Sequence, residues 1–320
     1  MKPIRKAFLQ ALATGLALLL LAAPAPAPAA ERMTVLLDWF VNPDHAPLYV
    51  ALEMGWFTEA GLDVELIAPS DPNDPPRLVA AGEGDIALSY QPQLYLQIAG
   101  GLPLARIGTL VATPLNTVIV LADSPFRSLA DLRGRRIGYS IGGMEEAILG
   151  AMLASAGVGL DEVELVNVNW SLSPALMAGQ VDAVIGGFRN FELNQMAIEG
   201  HPGRAFFVEE HGVPAYDELI LIARRDRLDD PRLAAFVGAV ERGVQYLVNH
   251  PEESLDLFIR GRPELDTELN RRAWRDTLPR FALRPAALDR GRYERFAAFM
   301  RESGLIGELP PLAEWAVELR

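Results

Sequence analysis

The sequence predicts an α/β protein of two lobes with a central cleft between them. Three observations carry that class. From Glu31 onward, short apolar runs alternate with helical patterns, the rhythm of a mostly parallel sheet with helices on its faces. One block occurs twice: "AAGEGDIALSY" (Ala80 to Tyr90) and "MAGQVDAVIGGF" (Met177 to Phe188) both read helix, Ala-Gly, two residues, Asp, apolar strand. Helix-Gly-x-x-Asp-strand is also common α/β punctuation, so the match is either a pseudo-repeat or shared grammar. Finally, the apolar strands "NTVIVLADSPF" and "YDELILIARRD" flank the second half, as segments crossing between lobes.

The elements follow in order. Residues 1–30 read as a secretory signal, with Lys2, Arg5 and Lys6, an apolar run from Ala7 to Ala23, and a small-residue end cleavable near Ala29 or Ala30. The run is short for a membrane span, and the alternative is an uncleaved anchor. "MTVLLDW" is a strand, and "APLYVALEMGWFTEAG" is a helix that Gly61 stops. "LDVELIAP" is a strand, "PPRLVAAGEG" a helix, and "DIALSY" a strand. The plan then repeats. "GRRIGYS" is a strand, "GGMEEAILGAMLASAG" a loop opening into a helix, "VELVNVNW" a strand, "SPALMAGQV" a helix and "DAVIGGF" a strand. From about Asp230 the chain is strongly helical. Residues 31–118 and 221–320 thus form one lobe, and residues 119–220 the other. In open α/β sheets ligands bind beyond the carboxyl ends of the strands. Two lobes place those ends face to face across a cleft that closes by hinge motion.

Composition narrows the function. Half of the 320 residues are apolar, enough for a core without staples. There is no cysteine for disulfides or for lipoprotein acylation, and the four histidines (His45, His201, His211, His250) lack ligand spacing, so no metal is expected. A net charge of −13 would repel nucleic acid and anionic lipid, although ordinary solubility explains it equally well. No nucleophile elbow, P-loop or metal motif is present, so neither an enzyme nor a cofactor is expected. The expectation is a monomeric, soluble protein of a bacterial periplasm.

Four segments then occur in a recognisable order: "LDWFVNPDHAPLYVALEMGWFTEAGLDVELI", "LVAAGEGDIALSY", "SLADLRGRRIGYSIGGMEEAILGAML" and "GQVDAVIGGFRNFELNQM". Together they resemble the NMT1/THI5-like family of ABC-transporter substrate-binding proteins, most nearly the branch that binds pyrimidine precursors of thiamine. The similarity spans essentially the whole mature chain. The opening motif is fairly specific to that branch, whereas the Ala-Gly-x-x-Asp and Leu-Arg-Gly-Arg blocks are shared with taurine, sulfonate and nitrate binders. The resemblance implies a type II periplasmic binding protein fold, capture of an aminopyrimidine and delivery to an inner-membrane permease. Near relatives carry riboflavin. Fungal relatives are pyrimidine synthases with a cysteine-rich motif that this chain lacks.

The candidate ligand residues lie at strand ends. Trp39 and Tyr90 offer ring faces to a flat heteroaromatic ligand. Asn42 and His45 offer polar edges, or else make the turn and cap the following helix. Asp38 either holds that turn or faces ligand. Ser89 ends the same strand as Tyr90, and Tyr139 ends the first strand of the second lobe. Gly142 and Gly143 present amides at a helix start, an anion-binding geometry, while Glu145 and Glu146 behind them read as ordinary first-turn acids. Asn190 and Glu192 lie at the rim of "GGFRNFE". The resemblance implies that Glu192 bonds the aminopyrimidine, and it leaves the stacking role of Phe188 and Phe191 open, since relatives often carry Tyr or Trp there. Tyr216 begins the second crossing strand, as a hinge or rim contact.

Overall fold

The computed structural model describes residues 30–319, so the signal segment lies outside the described residues. The first sheet is built from β1 (Glu31–Leu36), then helices α1 (Ala46–Glu53) and α2 (Trp56–Glu59), β2 (Leu62–Ile67), α3 (Pro75–Ala81), β3 (Ile86–Ser89), α4 (Gln91–Ala99) and β4 (Leu104–Val111). The chain crosses and forms β5 (Asn116–Leu121), β6 (Arg136–Tyr139), α5 (Met144–Ser155), β7 (Glu164–Asn167), α6 (Leu172–Met177), β8 (Ala183–Phe188), α7 (Glu192–Ile198) and β9 (Gly203–Phe207). It returns as β10 (Leu219–Arg224), followed by α8 (Pro231–Asn249), α9 (Pro251–Ile259), α10 (Glu268–Thr277) and α11 (Arg290–Glu302).

Two five-stranded sheets result, ordered β2-β1-β3-β10-β4 and β7-β6-β8-β5-β9. These orders are one topology, with β6, β7, β8 and β9 in the places of β1, β2, β3 and β4. In each sheet four strands run one way, and the reversed strand is β10 or β5. Those two strands were expected to be the crossings themselves. They are instead full members of the sheets, and the chain passes between lobes at residues 112–115 and 208–218.

The repeated Asp has the same task in each lobe. Asp85 Oδ2 accepts the Thr34 N–H at 2.9 Å, and Asp182 Oδ2 accepts the Arg136 N–H at 2.9 Å. Each carboxylate satisfies a backbone donor of the neighbouring parallel strand, just before its own strand enters the sheet. That shared need explains the shared spelling.

Local chemistry sets the element ends. Gly55 adopts φ +73° and breaks the single helix expected over 46–61 into α1 and α2. Gly82, in the same left-handed region, ends α3. Asp230 and Thr267 cap α8 and α10 by accepting from Arg232 N–H and Asn270 N–H. The C-terminal helices pack on the first lobe, and Gly243 lets α8 approach the Pro47 carbonyl of α1, where a Cβ would overlap it. Arg106 is wholly buried, and its guanidinium donates to the carbonyls of Pro285, Ala286, Ala287 and Val317, which fastens the C-terminal segment to β4.

Candidate functional site

The turn from β1 to α1 is held by side chains. Asn42 Oδ1 accepts the Asp44 N–H at 2.8 Å, and its Nδ2 donates to the Phe40 carbonyl at 3.1 Å. His45 Nδ1 accepts the Asn42 N–H at 3.3 Å, so the ring proton sits on Nε2, which faces Asp38 Oδ1 at 2.9 Å. Asp38 Oδ2 accepts the Tyr90 hydroxyl at 2.7 Å. The chain His45–Asp38–Tyr90 thereby locks a buried carboxylate and orients the Tyr90 ring.

This turn forms one wall of a pocket between the lobes, and the ends of β6 and β8 form the other. Rings come from both sides. Trp39 lies 4.4 Å from Trp170, Phe40 lies 5.6 Å from Phe191, and Tyr90 meets the edge of Phe188 at 6.4 Å, all between centroids. Polar bonds also join the lobes. Asn73 accepts the Gly142 N–H at 3.0 Å and donates to the Ser140 carbonyl at 3.2 Å, and Asn190 Nδ2 donates to Asp44 Oδ1 at 2.7 Å.

Four carboxylates line the pocket: Asp38, Asp44, Glu145 and Glu192. No Lys, Arg or His is among the lining residues. Glu145 is only 3% exposed. Its Oε2 accepts the N–H groups of Ser140 at 2.7 Å and Ile141 at 3.1 Å. Burial pushes it up to about 8, against the pull of those two bonds, and the charges of Glu218 and Glu192 add to the rise. Glu192 Oε2 accepts the Phe188 N–H at 2.7 Å, and burial, with a smaller contribution from Asp44, pushes it up to about 7. Asp44 is 1% exposed, and its Oδ1 also accepts the Thr277 hydroxyl at 3.0 Å. Burial raises Asp44 to about 6, while the bonds from Thr277 and Asn190 pull it down.

Gly186 explains how Glu145 fits. It lines the pocket with φ +96°, and a Cβ there would lie 2.6 Å from Glu145 Cδ. The four amides that lead into α5 are engaged by the protein itself. Ser140 and Ile141 bond Glu145, Gly142 bonds Asn73, and Gly143 donates to Glu146 at 2.9 Å. An anion would find these four donors already taken.

Of the residues expected at the ligand, Trp39, Asn42, Tyr90 and Glu192 line the pocket. The others do not, each for a visible reason. His45 is wholly buried behind Asp38, because a ring bonded at both nitrogens has no edge left for a ligand. Ser89 donates to Gln93 at 2.9 Å. Tyr139 packs against an apolar cluster that draws on both lobes. Gly142 and Gly143 have their amides occupied. Asn190 positions Asp44 rather than facing the pocket. Tyr216 is wholly buried with its ring 5.3 Å from Phe296. Sequence reasoning missed Asp44 and Gly186, and took Glu145 for a first-turn acid. The one available signal was a strand ending in Gly-Gly opposite a strand followed by paired acids.

Comparison with known proteins adds to this geometry. The family model described as "NMT1/THI5 like" matches residues 42–254. A protein of Haemophilus influenzae named for thiamine biosynthesis is 53% identical over 292 residues, covering 91% of this chain and 93% of that one. The formylaminopyrimidine-binding protein of Halalkalibacterium halodurans is 38% identical over 243 residues, covering 75% and 74%. Among solved structures, the alkanesulfonate-binding protein SsuA from Xanthomonas axonopodis pv. citri bound to MOPS superposes with a TM-score of 0.70 at 16% identity, over 91% of this chain and 99% of that one. At that identity the likeness shows the fold alone, a two-lobed periplasmic binding protein fold.

Proposed function

The chain belongs to the NMT1/THI5-like family, and from that premise we propose that it is the periplasmic solute-binding protein of an ABC importer that captures an aminopyrimidine precursor of thiamine, of the hydroxymethyl- or formylaminopyrimidine type. One observation carries this reading: the pocket offers rings and carboxylates with no cation among its lining residues, while the amides of Ser140 to Gly143 beside it are already bonded. A carboxylate accepts from an exocyclic amine or a protonated ring nitrogen, and aromatic side chains stack on a flat ring. Both lobes contribute, so ligand favours the closed arrangement, which is the form a permease would read. A sulfonate or nitrate would meet four carboxylates and no cation. The protein acts here by binding, without covalent chemistry.

The test is calorimetry and thermal shift on purified protein lacking residues 1–29, against aminopyrimidines, riboflavin, alkanesulfonates and nitrate. Saturating ligand at a hundred times Kd adds about 2.7 kcal/mol, which raises Tm by roughly 5–10 °C. That rise is expected with aminopyrimidines. A rise with sulfonates alone, or turnover of any pyrimidine, would overturn the reading. Asn73→Ala removes two bonds between the lobes and is expected to weaken aminopyrimidine binding roughly tenfold, chiefly through faster dissociation in stopped flow. An unchanged off-rate would show that these bonds do not hold the lobes together on the ligand.

A further inference from the structure

Asp44 has an acceptor that nothing among the described residues satisfies. Its Oδ1 takes bonds from Asn190 and Thr277, but Oδ2 is buried without a partner, and the residue lines the pocket. A desolvated carboxylate oxygen with no donor is costly, and such groups mark places where a ligand supplies what the chain does not. The other lining carboxylates each hold a bond from the protein, and none of them has a fully buried oxygen left without one. Asp38 is bonded to His45 and Tyr90, Glu145 to two backbone N–H groups, and Glu192 to the Phe188 N–H. The nearby guanidinium of Arg189 is paired with Glu209 at 2.7 and 2.8 Å, and that of Arg280 donates to the Asp276 carbonyl at 3.2 Å. The positive charge missing from the pocket therefore has no source in the lining.

Asp44 and Glu192 also stand on opposite walls, one on the turn before α1 and the other at the start of α7. The Asn190–Asp44 bond brings these two walls together, so one ligand that meets Glu192 through its amino edge has a second substituent within reach of the turn. We propose, building on the aminopyrimidine reading, that the preferred ligand carries a second, protonated amine, an aminomethyl arm, whose ammonium group is received by Asp44 Oδ2. The hydroxymethyl arm brings a donor without a charge, the formylaminomethyl arm an amide N–H, and a phosphorylated arm a repelled dianion. Selectivity then lies in one carboxylate of the first lobe, while Glu192 of the second holds the ring's amino edge.

The experiment is calorimetry of the purified protein with four 4-amino-2-methylpyrimidines that bear aminomethyl, hydroxymethyl, formylaminomethyl or phosphooxymethyl at the fifth ring carbon. The aminomethyl compound is expected to bind at least roughly tenfold tighter than the hydroxymethyl one, with no binding of the phosphate. Asp44→Asn keeps the acceptor that faces Asn190, and it is expected to shrink that preference to about threefold or less. Binding of the neutral pyrimidines without an amine preference in the wild-type protein overturns this proposal and leaves the functional reading standing. An amine preference undiminished in Asp44→Asn, at an unchanged Tm of the free protein, also overturns it. Failure of every pyrimidine to bind overturns the functional reading, and this proposal with it.

Discussion

Replacing Glu192 with alanine is expected to weaken aminopyrimidine binding by about 30- to 1000-fold, the equivalent of roughly 2–4 kcal/mol. The carboxylate sits at the start of α7, buried, with Oε2 on the Phe188 N–H. Burial holds it up to about 7, so a donor-bearing ligand that reaches it stabilises the ionised form and recovers part of the desolvation cost. Removing it takes away both the acceptor and the group that fixes the Phe188 backbone beside the ring site. Glu146→Ala is the matched control. That acid bonds the Gly143 amide and does not line the pocket, and its loss is expected to change affinity by less than about twofold. Calorimetry of both variants decides the matter, and a Glu192→Ala affinity within about threefold of wild type would remove Glu192 from the ligand's contacts.

Gly186→Ala is expected to damage stability and binding together. A side chain at φ +96° is strained, at about 1–2 kcal/mol, and the new Cβ would collide with the Glu145 carboxylate. Relieving that overlap moves Glu145 off the Ser140 and Ile141 amides and adds about 1–3 kcal/mol. The sum corresponds to a fall in Tm of roughly 5–10 °C, together with at least about tenfold weaker aminopyrimidine binding. A variant that melts within about 2 °C of wild type and binds normally would show that Glu145 has another seat, and the account of its position would fail.

The order of elements was legible in the chain because its signals are local. Alternating apolar runs, Gly82 after α3 and the repeated Ala-Gly-x-x-Asp blocks state their roles within a few residues. Strand β4 was missed because it is buried along its full length and shows no alternation, and β9 because it is short and half-buried. The two reversed strands could not be assigned to sheets, since direction depends on which lobe the chain has just left.

The site divides in the same way. Trp39, Asn42, Tyr90 and Glu192 were readable because rings and polar groups at strand ends have few structural uses. His45 looked equally suited, but its two nitrogens are taken by partners at positions 42 and 38, and only the folded turn shows that. Glu145 and Glu146 are identical neighbours in sequence, and both fit the start of a helix. One bonds an exposed amide, and the other is driven into the cleft, where Gly186 from a distant strand leaves it room. By itself the sequence determined the fold class, most of the run of elements and the chemical character of the first wall, since each rests on neighbours along the chain. Which acids line the pocket was decided only in three dimensions, because burial and the identity of the opposing backbone are set by residues far apart in sequence.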